Sequence, residues 1–417
     1  MGARFSRTAQ SSKGCDDDAC LPGADHSVLP PVDREATPLS DKEGVLEMTF
    51  MLENMRMKEW AATGENRRAC LERVDNSAFD YDPATWEPPV LPLDDNGFVQ
   101  AFGVDEGDAI KGFFERYGLV AVRGAIDAEA CARSLDEMWA GLETNFQGLR
   151  RDDPSTYESW PSLSKLGILG NTFLLSPQWC TNRQSPRVHR AFATLFGTER
   201  LVVNVGRASA MRPTRSVPAG SRDGGAAPAL VDRPEWKTKA GAEWLHWDMN
   251  PFTGAASSFS WRVRRPLEAR GYGRLRVQGL LALSECGPDD GGFFCVPGSH
   301  AIVRGWAHRN AGAMSDASVM SAESSIQLLL PKGDPLKAQG AKVPVRAGDL
   351  LVWDARLAHC NFPNDSPNMR VVQYIQAAEA DDPAIGPLCT DESLLPPRAQ
   401  FELTPLGRRL YGFDPWP

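Results

Sequence analysis

Two histidines and one aspartate in this sequence have the types and the spacing to hold a metal ion. His246 and Asp248 lie in the run Trp244-Leu245-His246-Trp247-Asp248, which reads as a strand. Residues two apart on a strand project from the same face, so the pair offers an imidazole and a carboxylate side by side. A second imidazole, brought in by strand pairing, would place two nitrogens and one carboxylate on one side of a metal and leave the opposite positions open for substrate and oxygen. His359 is the candidate, because it follows Gly348-Asp349 and an apolar strand that carries the chain back. Arg370 then heads the next apolar strand, with Val372 and Tyr374 on its face. An inward guanidinium needs an anion, and a keto-dicarboxylate would suit, with one end on the metal and the other in a bidentate pair with Arg370. The four residues together imply a ferrous site that uses a cosubstrate of the 2-oxoglutarate type.

Such residues work only if strands hold them. Short apolar runs at 243–248, 273–284, 292–296, 349–354, 357–361 and 369–377 are separated by Gly, Pro and Asp, with no long helix between them. That pattern predicts a sandwich or barrel and not a doubly wound sheet. Ahead of it, 108–117 reads as a helix, 119–123 as a strand, 127–142 as an amphipathic helix, 185–196 as a helix and 201–205 as an apolar strand. The expected class is mainly β with flanking helices. Residues 1–39 are rich in Ser, Asp, Gly and Pro and lack an apolar period, as a disordered tail would. Residues 40–96 open on the capping pattern Ser40-Asp41-Lys42-Glu43 and a Met- and Leu-rich helix over 45–60, then pass into a proline-broken connector.

Composition narrows the function classes. The chain has 417 residues, 42% hydrophobic and 24% charged, with a net charge of −9, which fits an ordinary soluble globular protein and argues against a nucleic-acid binder. Its nine cysteines include no CxxC pair, so neither a disulfide framework nor a structural zinc site is expected. No run reaches the roughly 18 apolar residues of a membrane helix, and the N-terminus lacks the apolar core of a secretory signal. A cytoplasmic setting is expected. Met1-Gly2-Ala3-Arg4-Phe5-Ser6 fits the N-myristoylation pattern, and Cys15 or Cys20 could supply a second acyl anchor, which together would bring the N-terminus to a membrane. Six arginines (262, 264, 265, 270, 274, 276) lie between Trp261 and Arg276 beside one acid, Glu268, a local basic patch that would focus an anionic substrate.

Four segments, LHWD at 245–248, VQGLLALSE at 277–285, GGFFCVPGSH at 291–300 and GDLLVWDARLAHCNFPNDSPNMR at 348–370, occur in an order and spacing that resembles the phytanoyl-CoA dioxygenase family of iron(II)/2-oxoglutarate oxygenases. The resemblance runs over about residues 97–378, leaving 379–417 as a C-terminal extension packing on that domain. It implies a double-stranded β-helix (jelly-roll) barrel, iron(II) on the catalytic residues His246, Asp248 and His359, 2-oxoglutarate on Arg370, and O2 as oxidant. It also implies Gln278 and Asn361 near the cosubstrate. The expected reaction is hydroxylation of a small molecule, anionic or acyl in character. Two long insertions, 249–272 and 301–347, depart from the family pattern, so its substrate-facing loops do not carry over. The ending Pro415-Trp416-Pro417 is not a peroxisomal signal of the Ser-Lys-Leu type. A non-catalytic jelly-roll binding or regulatory protein, and a cupin-type metal enzyme without 2-oxoglutarate, are the rival readings, and Arg370 discriminates against the latter. Trp244, Trp247, Trp261 and Trp353 read as packing residues, Cys360 as a thiol on the opposite strand face, and His300 as a hydrogen-bonding residue at a strand-to-helix turn.

Overall fold

Apolar strand runs broken by turn residues assemble here into two principal sheets. The computed structural model describes residues 81–161, 166–169, 173–204, 206–219, 228–239, 241–249, 251, 275–310, 328–382 and 395–417. The expected tail, the 45–60 helix, the acylation pattern, Trp261 and five of the six clustered arginines lie outside them. The larger sheet runs β1 (Ala101–Phe102), β2 (Leu119–Val122), β13 (Leu350–Asp354), β9 (Val277–Ala282), β15 (Arg370–Glu379), β5 (Ala208–Met211) and β3 (Ile168–Leu169), with β4 (Leu201–Val203) on the far end of β15. The smaller runs β11 (Leu328–Leu329), β8 (His246–Trp247), β14 (His359–Phe362), β10 (Gly292–Cys295) and β12 (Ala341–Val343), while β6 (Val217–Ala219) and β7 (Ala229–Val231) pair with each other.

The two faces of the larger sheet are occupied differently. One carries helices α1 (Gly107–Tyr117), α2 (Ala128–Asn145), α3 (Pro177–Arg183) and α4 (Pro186–Phe196). Sequence signals start and stop them: the Asp127 carboxylate accepts from the Ala130 amide at the head of α2, and Ser185 with Pro186 opens α4. Gly279 in β9 permits the close approach of α4, since a Cβ there would lie 2.9 Å from the Phe192 ring. Gln373 on the same face of β15 donates to the Trp179 carbonyl and accepts from Asn182, both in α3, at 2.9 Å each. The opposite face turns toward the smaller sheet, where Trp353 of β13 meets Phe293 of β10 at 4.6 Å between ring centroids. Everything placed between the sheets is thus walled by β-structure on both sides.

A second apolar cluster covers the outer face of the smaller sheet. Trp247 of β8 packs there against Trp306 of α5 (Ser299–Arg309), with Leu336 and Cys360 beside them. At the C-terminus, α6 (Pro405–Leu410) leads to Tyr411, whose hydroxyl donates to the Cys180 carbonyl at 3.0 Å, and to Trp416, whose indole donates to the Leu201 carbonyl at 2.8 Å. Among the described residues no helix is long and apolar enough to cross a membrane.

The sequence reading and the structure differ in informative places. The 243–248 strand shortens to His246–Trp247, because Gly241–Glu243 forms a 3-10 turn and Trp244 folds back to stack on His246. Helix α3 escapes a pattern-based reading because its polar residues Gln178, Asn182 and Arg183 are buried, leaving no solvated face to mark it. Strand β5, with the sequence ASAM, has small residues and no alternation of apolar with polar.

Candidate metal centre

β8 and β14 run antiparallel with His246 and His359 as direct register partners. Their imidazoles therefore leave the same face, 4.7 Å apart between ring centroids. Asp248, two residues beyond His246, joins them, and the three offer ligand atoms all within 4.8 Å of one another. His246 Nε2 lies 3.5 Å from Asp248 Oδ1, and His359 Nε2 lies 3.3 Å from Asp248 Oδ2. The alternate residues Trp247 and Cys360 face the second cluster instead, and the Cys360 thiol donates to the Gly241 carbonyl at 2.9 Å.

Each ring is oriented by the backbone two residues before it. His246 Nδ1 sits 2.9 Å from the Trp244 carbonyl, and His359 Nδ1 sits 2.8 Å from the Leu357 carbonyl. A carbonyl can only accept, so both Nδ1 atoms carry a proton and both Nε2 atoms face Asp248. Trp244 stacks on His246 at 5.3 Å, Phe293 stacks on His359 at 5.4 Å, and Trp353 flanks His359 at 5.4 Å. Burial alone would push the Asp248 carboxyl up, but hydrogen bonds and charge from His246 and His359 outweigh it and hold it well below the usual carboxylate range. Two imidazole nitrogens with one carboxylate are a donor set for a transition metal with open positions.

Arg370 reaches into the same gap from the larger sheet. It is completely buried, its Nη1 donates to Ser209 Oγ at 2.7 Å, and its Nε has no partner. Among the described residues no carboxylate pairs with it, and the Cys286 thiol also lies beside it. Its reach extends to the smaller sheet, since a Cβ on Gly292 would lie 4.0 Å from Arg370 Nε. A buried guanidinium left in this state costs several kcal/mol unless an anion joins it, so the enclosure fits a carboxylate ligand.

The two residues expected near a cosubstrate part company. Asn361 shares the inward face of β14 with His359, donates to the Tyr374 hydroxyl at 3.3 Å and leaves its buried Oδ1 without a partner. Gln278 of β9 is on the metal side: its amide donates to Asp248 Oδ2 at 2.5 Å. His300 is apart from the cluster, with Nε2 at 3.0 Å from the Glu115 carbonyl. Arg276, the described member of the basic patch, is bound to the buried carboxylate of Asp382 at 2.5 Å, so it is engaged within the fold. Ser209, the partner of Arg370, was not singled out from the sequence, where a serine in a run of small residues carries no signal.

A profile of the phytanoyl-CoA dioxygenase (PhyH) family matches residues 229–372. A protein of Dictyostelium discoideum described as "Putative phytanoyl-CoA dioxygenase" is 24% identical over 325 residues, covering 69% of this chain and 84% of its own. Among solved structures, the "Putative Oxidoreductase from Salmonella typhimurium LT2" is 16% identical with a TM-score of 0.47, covering 92% of this chain and 98% of its own. The epimerase SnoN, solved in complex with Fe3+, alpha ketoglutarate and nogalamycin RO, is 17% identical with a TM-score of 0.40, covering 66% of this chain and 84% of its own.

Proposed function

We propose that this chain, which is similar to the phytanoyl-CoA dioxygenase family over residues 229–372, is an oxygenase that binds iron(II) through His246, Asp248 and His359, binds 2-oxoglutarate through Arg370, and hydroxylates a small-molecule substrate. The observation that carries this reading is the fully buried Arg370, without an acid among the described residues, facing the same gap as the three ligand residues. Gly292, beside Arg370, pairs with Phe362, three residues along β14 from His359. Three strand residues span roughly 10 Å, a distance a five-carbon keto-dicarboxylate can bridge once bonded at both ends. We read the two facing sheets as the halves of a double-stranded β-helix within a catalytic unit of about residues 97–378, with 379–417 packing on it.

Iron(II) with 2-oxoglutarate supplies O2 activation, and the overall reaction converts the keto acid to succinate and CO2 as one oxygen atom enters a substrate C–H bond. The chain's part is positioning. The Trp244 and Leu357 carbonyls fix both imidazoles with Nε2 inward, Ser209 steadies the Arg370 fork, and Trp244, Phe293 and Trp353 keep water from the rings. The test is anaerobic loading of the purified protein with iron(II), followed by O2 and 2-oxoglutarate. Succinate release that requires both iron and 2-oxoglutarate is expected; a protein that takes up iron but neither binds nor consumes 2-oxoglutarate would place it with metal enzymes that do without the keto acid.

A further inference from the structure

The three ligand residues are not equally well held. His246 and His359 are paired with each other across the ladder and bonded through Nδ1 to backbone carbonyls. Asp248 lies just beyond the two-residue strand β8, where the chain bends. A carboxylate there can turn about two side-chain bonds, and each of its oxygens already faces a different histidine. Which oxygen meets a metal, and from which side, is set by whatever grips the other.

Gln278 has the position and chemistry to do that. It is the second residue of β9, a central strand of the larger sheet, with Trp353 on one neighbour and Gln376 on the other as its register partners. Its backbone is thus fixed on both sides, and its side chain crosses the gap to Asp248 Oδ2 at 2.5 Å. An ionised carboxylate can only accept, so the group facing it is the NH2 end of the amide. A neutral donor suits this place, because it satisfies one oxygen without adding a second cation to compete with the metal.

We propose that Gln278 is a positioning residue of the metal centre: its amide holds Asp248 Oδ2 and so presents Oδ1 beside His246 Nε2 as the ligand atom. This rests on the metal reading above. It assigns Gln278 to the carboxylate ligand and not to the cosubstrate, and makes the larger sheet part of the metal site through one hydrogen bond between the sheets.

The test is Mn(II) titration of full-length protein, with Gln278→Leu and Gln278→Met as variants that keep much of the side-chain volume and lose the donor, and Gln376→Leu as the control. Gln376 is on the same face and in direct register, so a general effect of removing a carboxamide from this sheet would appear in both. A ten- to hundred-fold loss of Mn(II) affinity is expected in the Gln278 variants, as for other residues supporting metal ligands, with Gln376→Leu near wild type. In the anaerobic iron(II)/2-oxoglutarate complex, the charge-transfer absorption should shift in the Gln278 variants alone, a signature that lost stability cannot produce. Folded Gln278→Leu or Gln278→Met with wild-type Mn(II) affinity and an unshifted band overturns the assignment, as does equal weakening by Gln376→Leu. If wild-type protein binds neither Mn(II) nor iron(II), the metal reading itself fails and this assignment goes with it.

Discussion

The two ends of the gap are organised by different means. At the metal end, each imidazole is fixed by a carbonyl two residues earlier in its own chain segment, and His-x-Asp is a single strand repeat. At the anion end, Arg370 is fixed by Ser209, 161 residues away, and flanked by Cys286 and by Gly292 of the facing sheet. The metal end satisfies its polar atoms largely within itself, whereas the anion end keeps a buried guanidinium nitrogen unsatisfied. The first orients each imidazole locally, from its own strand segment; the second is complete only when a ligand supplies the missing charge.

That contrast is broken most sharply by removing ligands. Single replacements His246→Ala, Asp248→Ala and His359→Ala should each weaken metal binding by more than about a hundred-fold, beyond what loss of a supporting residue causes, and 2-oxoglutarate turnover should vanish with it. Metal titration followed by succinate assay checks this, and parental metal stoichiometry in all three variants would move the site elsewhere. Arg370→Ala should separate the two ends. Metal affinity stays at the wild-type level, while 2-oxoglutarate binding weakens by about 1.5–3 kcal/mol, the usual worth of a charge-assisted hydrogen bond. Equal loss of metal and 2-oxoglutarate in this variant would mean that the ends form one unit.

Legibility in the sequence follows the same division. Strand β13, the start of β15 and the His246/Asp248 pair were readable because alternation and spacing act over a few residues. The partner of Arg370 was not, because strand β5 announces itself neither by alternation nor by β-branched residues. Gln278 enters the sequence reading only through resemblance, and its bond to Asp248 is not legible there: which sheet face lies opposite which ligand depends on how the sheets pack, and no local pattern encodes that. Helix α3 was missed for a related reason, since its Asn182 and Gln178 bond to each other and Asn182 reaches Ser134 and Gln373 in the interior.

Two buried aspartates extend the comparison to charge. Asp248 is held low by its histidines, whereas Asp349, at the turn into β13, is pushed up to about 6 by burial, against the opposing effects of the Gly124 amide, Arg123 and Arg346 and with a smaller push from Glu285. The raised value means that the folded protein binds more protons than the unfolded chain between about pH 4 and 6, so this group's contribution to stability is lost as pH rises through that window. Asp349→Asn keeps an oxygen for the Gly124 amide, which now donates to Oδ1 at 2.7 Å, and removes the charge. It should stabilise the fold by about 1–3 kcal/mol at pH 7.5 and by much less at pH 4. Chemical denaturation of both proteins at the two pH values reads this directly; a pH-independent difference would show that the ionised carboxylate is not strained by burial.

The smallest expected effect tests how the anion end is held. Ser209 is fully buried on β5, opposite Val372 of β15, and its hydroxyl accepts from Arg370 Nη1. Ser209→Ala leaves the guanidinium in place, because Arg370 is anchored by its own strand pairing with Met211, but removes one fixed acceptor from the fork. Because the hydroxyl orients the fork and does not itself meet the ligand, its loss should weaken 2-oxoglutarate binding by only about 0.5–1.5 kcal/mol, less than the full worth of a charge-assisted bond. The apparent Michaelis constant for 2-oxoglutarate should therefore rise about two- to ten-fold, with Mn(II) affinity unchanged. If the constant does not move, the strand ladder alone orients Arg370. If it rises as far as in Arg370→Ala, the hydroxyl is indispensable to the fork, and the anion end is as sharply defined by its neighbours as the metal end.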